Sequence, residues 1–230
     1  MLTPVQILLT IWVLALGVLT SKAQTNLSLK RQLDSIYVTD QQYREYLSTI
    51  GNNPKLQDSL SNAFKINKNN LASFLWTKQN EIDRINLSRI ETILSRYGYP
   101  GKTLVGTPTN ESAWYVIQHS GAIEKYFPLI SEAGKQKELP FRLVAMMQDR
   151  LLSQQDKPQI YGTQVLCYPP KKQPDHTECF VWPIDRPEGV NKRRKEAGFT
   201  DTVEENAKRL GVDYRVLSKA EVMEIYQTPQ

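Results

Sequence analysis

The chain has 230 residues, 29 Lys and Arg against 24 Asp and Glu, a formal net charge of +5 and two cysteines. That mildly basic balance comes without a Lys/Arg run interleaved with aromatics, so a nucleic-acid surface is not expected. The same charge leaves room for a polar or anionic ligand.

Residues 7–19, ILLTIWVLALGVL, form an uncharged apolar run followed by Thr20-Ser21-Lys22-Ala23-Gln24. Ser21 and Ala23 fit the −3 and −1 positions of a signal-peptidase site, which predicts cleavage before Gln24. The run is short for a membrane anchor, so no membrane span is expected after signal removal. Location in the periplasm or outside the cell follows. Removal of residues 1–23 leaves 207 residues, enough for one core with an appendage. The expected division is 24–96 as a helical region, 97–200 as a core region with a β-hairpin, and 201–230 as C-terminal helices.

Within residues 27–50, Leu29, Leu33, Ile36 and Tyr37 recur at helical spacing, and Gly51 can end the helix. Residues 52–70 are polar and read as a loop, a short helix or both. A longer helix is predicted over 71–96, stopping at Tyr97-Gly98-Tyr99-Pro100. Residues 101–110 read as an exposed connection. Helices are expected over 111–120 and over 122–135, where Pro128 would bend or interrupt the second. Residues 139–153 form an amphipathic pattern.

The period then changes. Residues 159–168 and 179–184 read as two antiparallel strands around a proline-rich loop. Asp185-Arg186-Pro187-Glu188 reads as a cap with an early proline, and Thr202/Glu205 and Ser218/Glu221 read as capping boxes. The fold class is therefore mainly α (α+β): helices with one small antiparallel β-hairpin.

Cys167 and Cys179 bracket the loop, and an even pair in an exported chain reads as a disulfide. A metal site of both cysteines with His176 and Asp175 is the sharper alternative, but the set lacks a clear fourth ligand. No metal and no cofactor are expected.

The ordered segments AWYVIQHS (113–120), DR (149–150), QIYGTQ (159–164), WPID (182–185) and VNKRR (190–194) with Gly198, preceded by DQQYR (40–44), resemble the bacterial domain of unknown function 6624 family. The resemblance covers roughly residues 32–200 and implies no reaction. It does not extend to the cysteine loop or to the tail after Phe199.

The same segments place polar groups on apolar faces. His119 stacks over Tyr115 and Val116, where an imidazole suits acid/base work, ligand donation or a buried hydrogen bond. Arg150 falls on the stripe of Leu143 and Met147, where an arginine is expected to neutralise a buried carboxylate. Asp149, beside it, faces Ala145 and Met146. Arg194 shares a face with Val190 and Ala197 and needs a carboxylate, a carbonyl or an anionic ligand, with Asp149 and Asp185 as candidate partners. Read as a strand, 159–164 puts Gln159, Tyr161 and Thr163 on one face and Ile160, Gly162 and Gln164 on the other.

The expectation is that His119, Asp149, Arg150, Gln159, Tyr161, Thr163, Gln164 and Arg194 converge on one pocket beside the hairpin. Two functions fit: a binding or interaction module of the cell envelope, or a hydrolase or transferase using His119 as acid/base with arginine steadying negative charge. No nucleophile elbow, HExxH or phosphate loop favours the second.

Overall fold

A computed structural model describes residues 25–227. The apolar run and the cleavage site before Gln24 lie outside the described residues. Ten α-helices, two short 3-10 turns and one two-stranded antiparallel hairpin make up the described chain. None of these helices is long and apolar enough to cross a membrane.

Helix α1 (Leu27–Ile50) starts where the Asn26 side chain accepts the Leu29 N–H, and it buries Leu29, Leu33 and Ile36. Its partner is α3 (Lys68–Tyr97), 30 residues long and ending at Gly98. Between them, 52–70 resolves into α2 (Pro54–Phe64), capped by Asn53 with Pro54 in the first turn. Leu60, Leu71, Leu75 and Ile50 close one end of this helical layer.

The segment 101–110 is not an exposed connection. It contains α4 (Lys102–Val105) and a 3-10 turn, and Val105, Thr109 and Asn110 are buried. The Asn110 amide donates to the Glu138 carbonyl at 2.7 Å, and the Tyr99 hydroxyl donates to the Asn110 carbonyl at 2.8 Å. These side-chain bonds tie the short connection into the core.

Helices α5 (Ser112–Gln118), α6 (Ile123–Lys135) and α7 (Phe141–Gln154) complete the main core with Trp114, Ile117, Ile130, Leu143 and Met147. Helix α6 runs through Pro128. Proline removes only the bond to the Glu124 carbonyl, and both residues are exposed, so water can satisfy that oxygen.

The hairpin is shorter than its pattern suggested: β1 (Val165–Tyr168) pairs with β2 (Glu178–Val181), with Cys167 opposite Cys179. These two cysteines form a disulfide. The strand alternation sends Phe180 and Trp182 one way and Val181 the other. Phe180 and Trp182 pack with Val222 and Tyr226 of the C-terminal segment, whose helix is α10 (Lys219–Ile225). Val181 packs with Val190, Val203 and Ala207, from α8 (Val190–Glu196) and α9 (Val203–Arg209).

Both expected capping boxes form, at Thr202/Glu205 and Ser218/Glu221. The expected Asp185 cap does not. Arg186 adopts a left-handed conformation (φ 48°), a 3-10 turn intervenes before α8, and the Asp185 carboxylate pairs with the Arg186 side chain instead.

Candidate functional site

Residues 159–164 are not a strand. They form a loop wrapped around the Asp149 carboxylate, which projects from α7 and is wholly buried. Asp149 accepts the backbone N–H groups of Ile160 (2.7 Å), Tyr161 (3.0 Å) and Thr163 (3.0 Å), together with the Thr163 hydroxyl (3.0 Å). Burial pushes this carboxyl above its usual range, and the four donors act in the opposite direction.

Gln159, also buried, accepts the Gln164 N–H at 2.8 Å and donates to the carbonyls of Gln164 and Trp182. The carbonyls of the loop are met from α8 and α9: Ile160 by Arg193, Tyr161 by Arg194 and Gly162 by Asn206. Side chains thus supply what a sheet ladder would have supplied. Gly162 turns the loop at φ 69°, where an added Cβ would lie 2.5 Å from a Val203 methyl.

Arg194 does not pair with Asp149 or Asp185. It is 1% exposed, its Nη2 lies 2.6 Å from Asp201 Oδ1, its Nε donates to the Asp201 carbonyl, and it lies over the Phe199 ring. Asp149 is already occupied by backbone donors, and Asp185 is exposed. Asp149, Gln159 and Arg194 therefore shape the loop from beneath.

Arg150 behaves differently. Its Nη1 donates to the Gln118 carbonyl at 2.8 Å and its Nε to Gln164 Oε1 at 3.3 Å. The expected carboxylate is missing: among the described residues no acid lies within 4 Å of its guanidinium. Burial lowers its proton affinity, and the nearby Arg44 charge adds to that effect.

Arg150 lines a cleft of about 770 Å³ with Arg142, Thr163, Gln164, Phe199 and Arg209. Arg142, Met146 and Arg150 stand at i, i+4 and i+8, so one ridge of α7 forms its wall. Tyr161 is half-buried beside Phe199, ring centres 6.2 Å apart, and burial, with the Asp149 charge, pushes its phenol up.

His119 lies at the C-terminal end of α5 and meets a residue quoted in the DQQYR segment but not expected in the site. Its Nδ1 is 3.4 Å from Oδ2 of Asp40, on α1. Arg44 reaches the same oxygen at 3.7 Å and Asp83 at 2.5 Å, while Gln79 donates to Asp83 and to the Asp40 carbonyl. Asp40 and Gln79 are fully buried. Four atoms of this group have no hydrogen-bond partner among the described residues: Asp40 Oδ1, Arg44 Nε, Gln79 Oε1 and His119 Nδ1. The missed signal was an acid continuing an apolar stripe, since Asp40 follows Leu29, Leu33 and Ile36 at helical spacing.

The expected residues thus fall into two groups. Asp149, Gln159, Tyr161, Thr163, Gln164 and Arg194 belong to the loop and its supports, and His119 belongs with Asp40 and Arg44. Arg150 belongs with the loop through Gln164, and it also holds the carbonyl of Gln118, the residue before His119. Among the described residues no cluster of His, Cys, Asp and Glu is placed to hold a metal ion.

The model of a family of unknown function, DUF6624, matches residues 42–219. The chain belongs to this family. No curated protein and no solved structure matches it. The DUF6624 match begins two residues after Asp40 and includes the cysteine loop and α9, so it reaches beyond the segments whose resemblance the sequence carried. It ends on the first residue of α10.

Proposed function

We propose that this DUF6624 protein is an exported binding module whose ligand is a polar molecule bearing at least two negative groups, held in the cleft beside the 159–164 loop. The observation that carries this reading is Arg150: a largely buried guanidinium with a carbonyl and an amide for partners and, among the described residues, no carboxylate. A desolvated arginine without an anion is costly, and a ligand anion would supply the missing charge. Arg142 lies eight residues earlier on the same ridge, about 12 Å away along the helix axis, and its nearest acid is Glu111 at 3.7 Å. Arg209 adds a third positive charge to the lining. Gln164 and Thr163 offer amide and hydroxyl groups for orientation. Export is supported by the apolar run at residues 7–19 and by the Cys167–Cys179 disulfide.

Calorimetric titration with pyrophosphate and with citrate tests the reading, with glucose as the neutral control. Binding of either anion should weaken at least about tenfold in Arg150→Ala, in line with loss of a charge-assisted contact, and should also weaken with salt. Absence of binding by both anions, or equal binding by glucose, would overturn it.

A further inference from the structure

The hairpin brings an unpaired strand edge to the cleft. The Trp182 N–H donates to the Gln164 carbonyl at 3.0 Å, so these two residues are a hydrogen-bonded pair. Bonded and non-bonded pairs alternate along an antiparallel ladder. In the observed register, Leu166/Phe180 and Tyr168/Glu178 therefore share the ladder bonds, while Val165/Val181 and Cys167/Cys179 do not. The N–H and C=O groups of Val165 and Cys167 consequently point away from β2. Among the described residues none of them has a main-chain partner. Val165 lines the cleft of Arg150, and Cys167, further along the strand, is exposed.

The opposite edge of the hairpin is covered. There the Gln159 N–H donates to the Pro183 carbonyl and the Asp185 N–H to the Gln159 carbonyl, and residues 214–217 lie beside Val181 and Trp182. The β1 sequence, VLCY, holds neither the charge nor the proline that guards many exposed strands. Beyond β1 the chain itself pairs on this side. The Lys171 N–H donates to the Ile225 carbonyl and the Gln227 N–H to the Pro169 carbonyl, with Pro170 opposite Tyr226. Positions 169 and 171 continue the alternation of 165 and 167, so the terminal segment uses the same edge.

We infer that the anionic ligand of the cleft is an extended acidic peptide, whose main chain adds to β1 at Val165 and Cys167 and whose carboxylates meet the arginines. This rests on the anion-binding reading of the cleft. The lining selects acidic side chains: Arg142, Arg150 and Arg209 stand against one acid, Asp201, which Arg194 already holds at 2.6 Å. Arg150 marks the head of the edge, because it is bonded to Gln164, the residue before Val165. Arg209 comes from α9, which packs against Val165 through Val203 and Ala207. Met146, Phe199 and Leu210 add apolar surface to the same lining. An extended strand alternates its side chains between two faces, so acidic and apolar residues in turn suit such a cleft. Main-chain bonds then supply affinity, and the arginines supply the choice of sequence.

The test uses the blocked peptide acetyl-Glu-Val-Glu-Val-Glu-amide, with a version carrying Gln for Glu as the neutral control. Calorimetry should show saturable binding of the acidic peptide, weakened at least about tenfold in the Gln version and in Arg150→Ala. Two further peptides carry N-methyl groups, one on both valines and one on the central glutamate. A bound strand turns alternate N–H groups to its partner, so at least one of the two should bind at least about tenfold more weakly. Amide exchange followed by NMR locates the contact. Val165 and Cys167 should exchange faster than Leu166 and Tyr168 in the free protein, and slow at least about tenfold at saturation. Equal binding of the parent and both N-methyl peptides overturns the inference. So do Val165 and Cys167 amides that are slow without peptide or unchanged with it, and so does undiminished binding of the Gln version or by Arg150→Ala. Pyrophosphate binding without peptide binding defeats the inference alone. Failure of pyrophosphate, citrate and peptide together defeats the anion reading as well.

Discussion

Asp149 and Thr163 are joined twice, by the Thr163 N–H and by its hydroxyl, each donating to the same carboxylate oxygen at 3.0 Å. With the N–H groups of Ile160 and Tyr161 on the other side, one buried acid organises a whole loop. Asp149→Ala would leave three backbone donors and a hydroxyl without their acceptor. The expected loss is about 3–5 kcal/mol, the range for breaking a buried charged group's partnership. Asp149→Asn should not rescue it, because half of the amide is a donor facing donors. Urea unfolding midpoints of the two variants check this.

Arg150→Ala should be much milder in stability than Asp149→Ala, although the two residues are neighbours. Arg150 strands no acid when it is removed, only the Gln118 carbonyl and the Gln164 amide. The expected cost is about 1–2 kcal/mol, one to two ordinary hydrogen bonds. Thermal melts should order the variants Arg150→Ala above Asp149→Ala. The reverse order would mean that Arg150 balances a buried acid after all.

How far the sequence could be read follows from these two residues. Local signals were reliable: the apolar stripes of α1 and α3, the capping boxes at Thr202 and Ser218, and the cysteine pair each depend on residues close in the chain. The 159–164 loop misled because Ile160, Tyr161 and Thr163 have strand-forming side chains in alternation. Its conformation is set by Asp149, ten or more residues upstream, and by Arg193, Arg194 and Asn206, 33 or more residues downstream. Arg150 misled for the same reason, since a stripe position says that a side chain is buried but not what meets it. Asp40 was left out of the expected site because an acid on a long polar helix reads as solvated until α3 and α5 are seen to cover it.

Arg194→Lys should cost about 2–4 kcal/mol, despite keeping the charge. A lysine cannot reach the Tyr161 carbonyl, the Asp201 carbonyl and the Asp201 carboxylate together, as the guanidinium does. Denaturant titration gives the stability. Amide exchange should also show faster opening of residues 160–164 than in the parent protein.

Gly162→Ala should be destabilising by about 2–4 kcal/mol, combining a positive φ with overpacking. The methyl would sit 2.5 Å from Val203 Cγ2 and 2.8 Å from Ile184 Cδ1, so α9 or the segment after β2 would have to move. Tyr161→Phe, next door, should change stability by less than about 0.5 kcal/mol. Parallel melts of the two variants separate backbone strain from side-chain loss.

At the far edge of the hairpin, the end of the chain returns to the cysteine loop. The Lys171 N–H donates to the Ile225 carbonyl and the Gln227 N–H to the Pro169 carbonyl, while Tyr226 stacks on Phe180 at 4.3 Å. The disulfide fixes the base of that loop and the terminal segment grips its flank, so the turn 172–177 is fastened at two points that do not involve the 159–164 loop. No residue of 172–177 lines the cleft, so exchanging the hairpin tip for another sequence is expected to leave the cleft arginines in place.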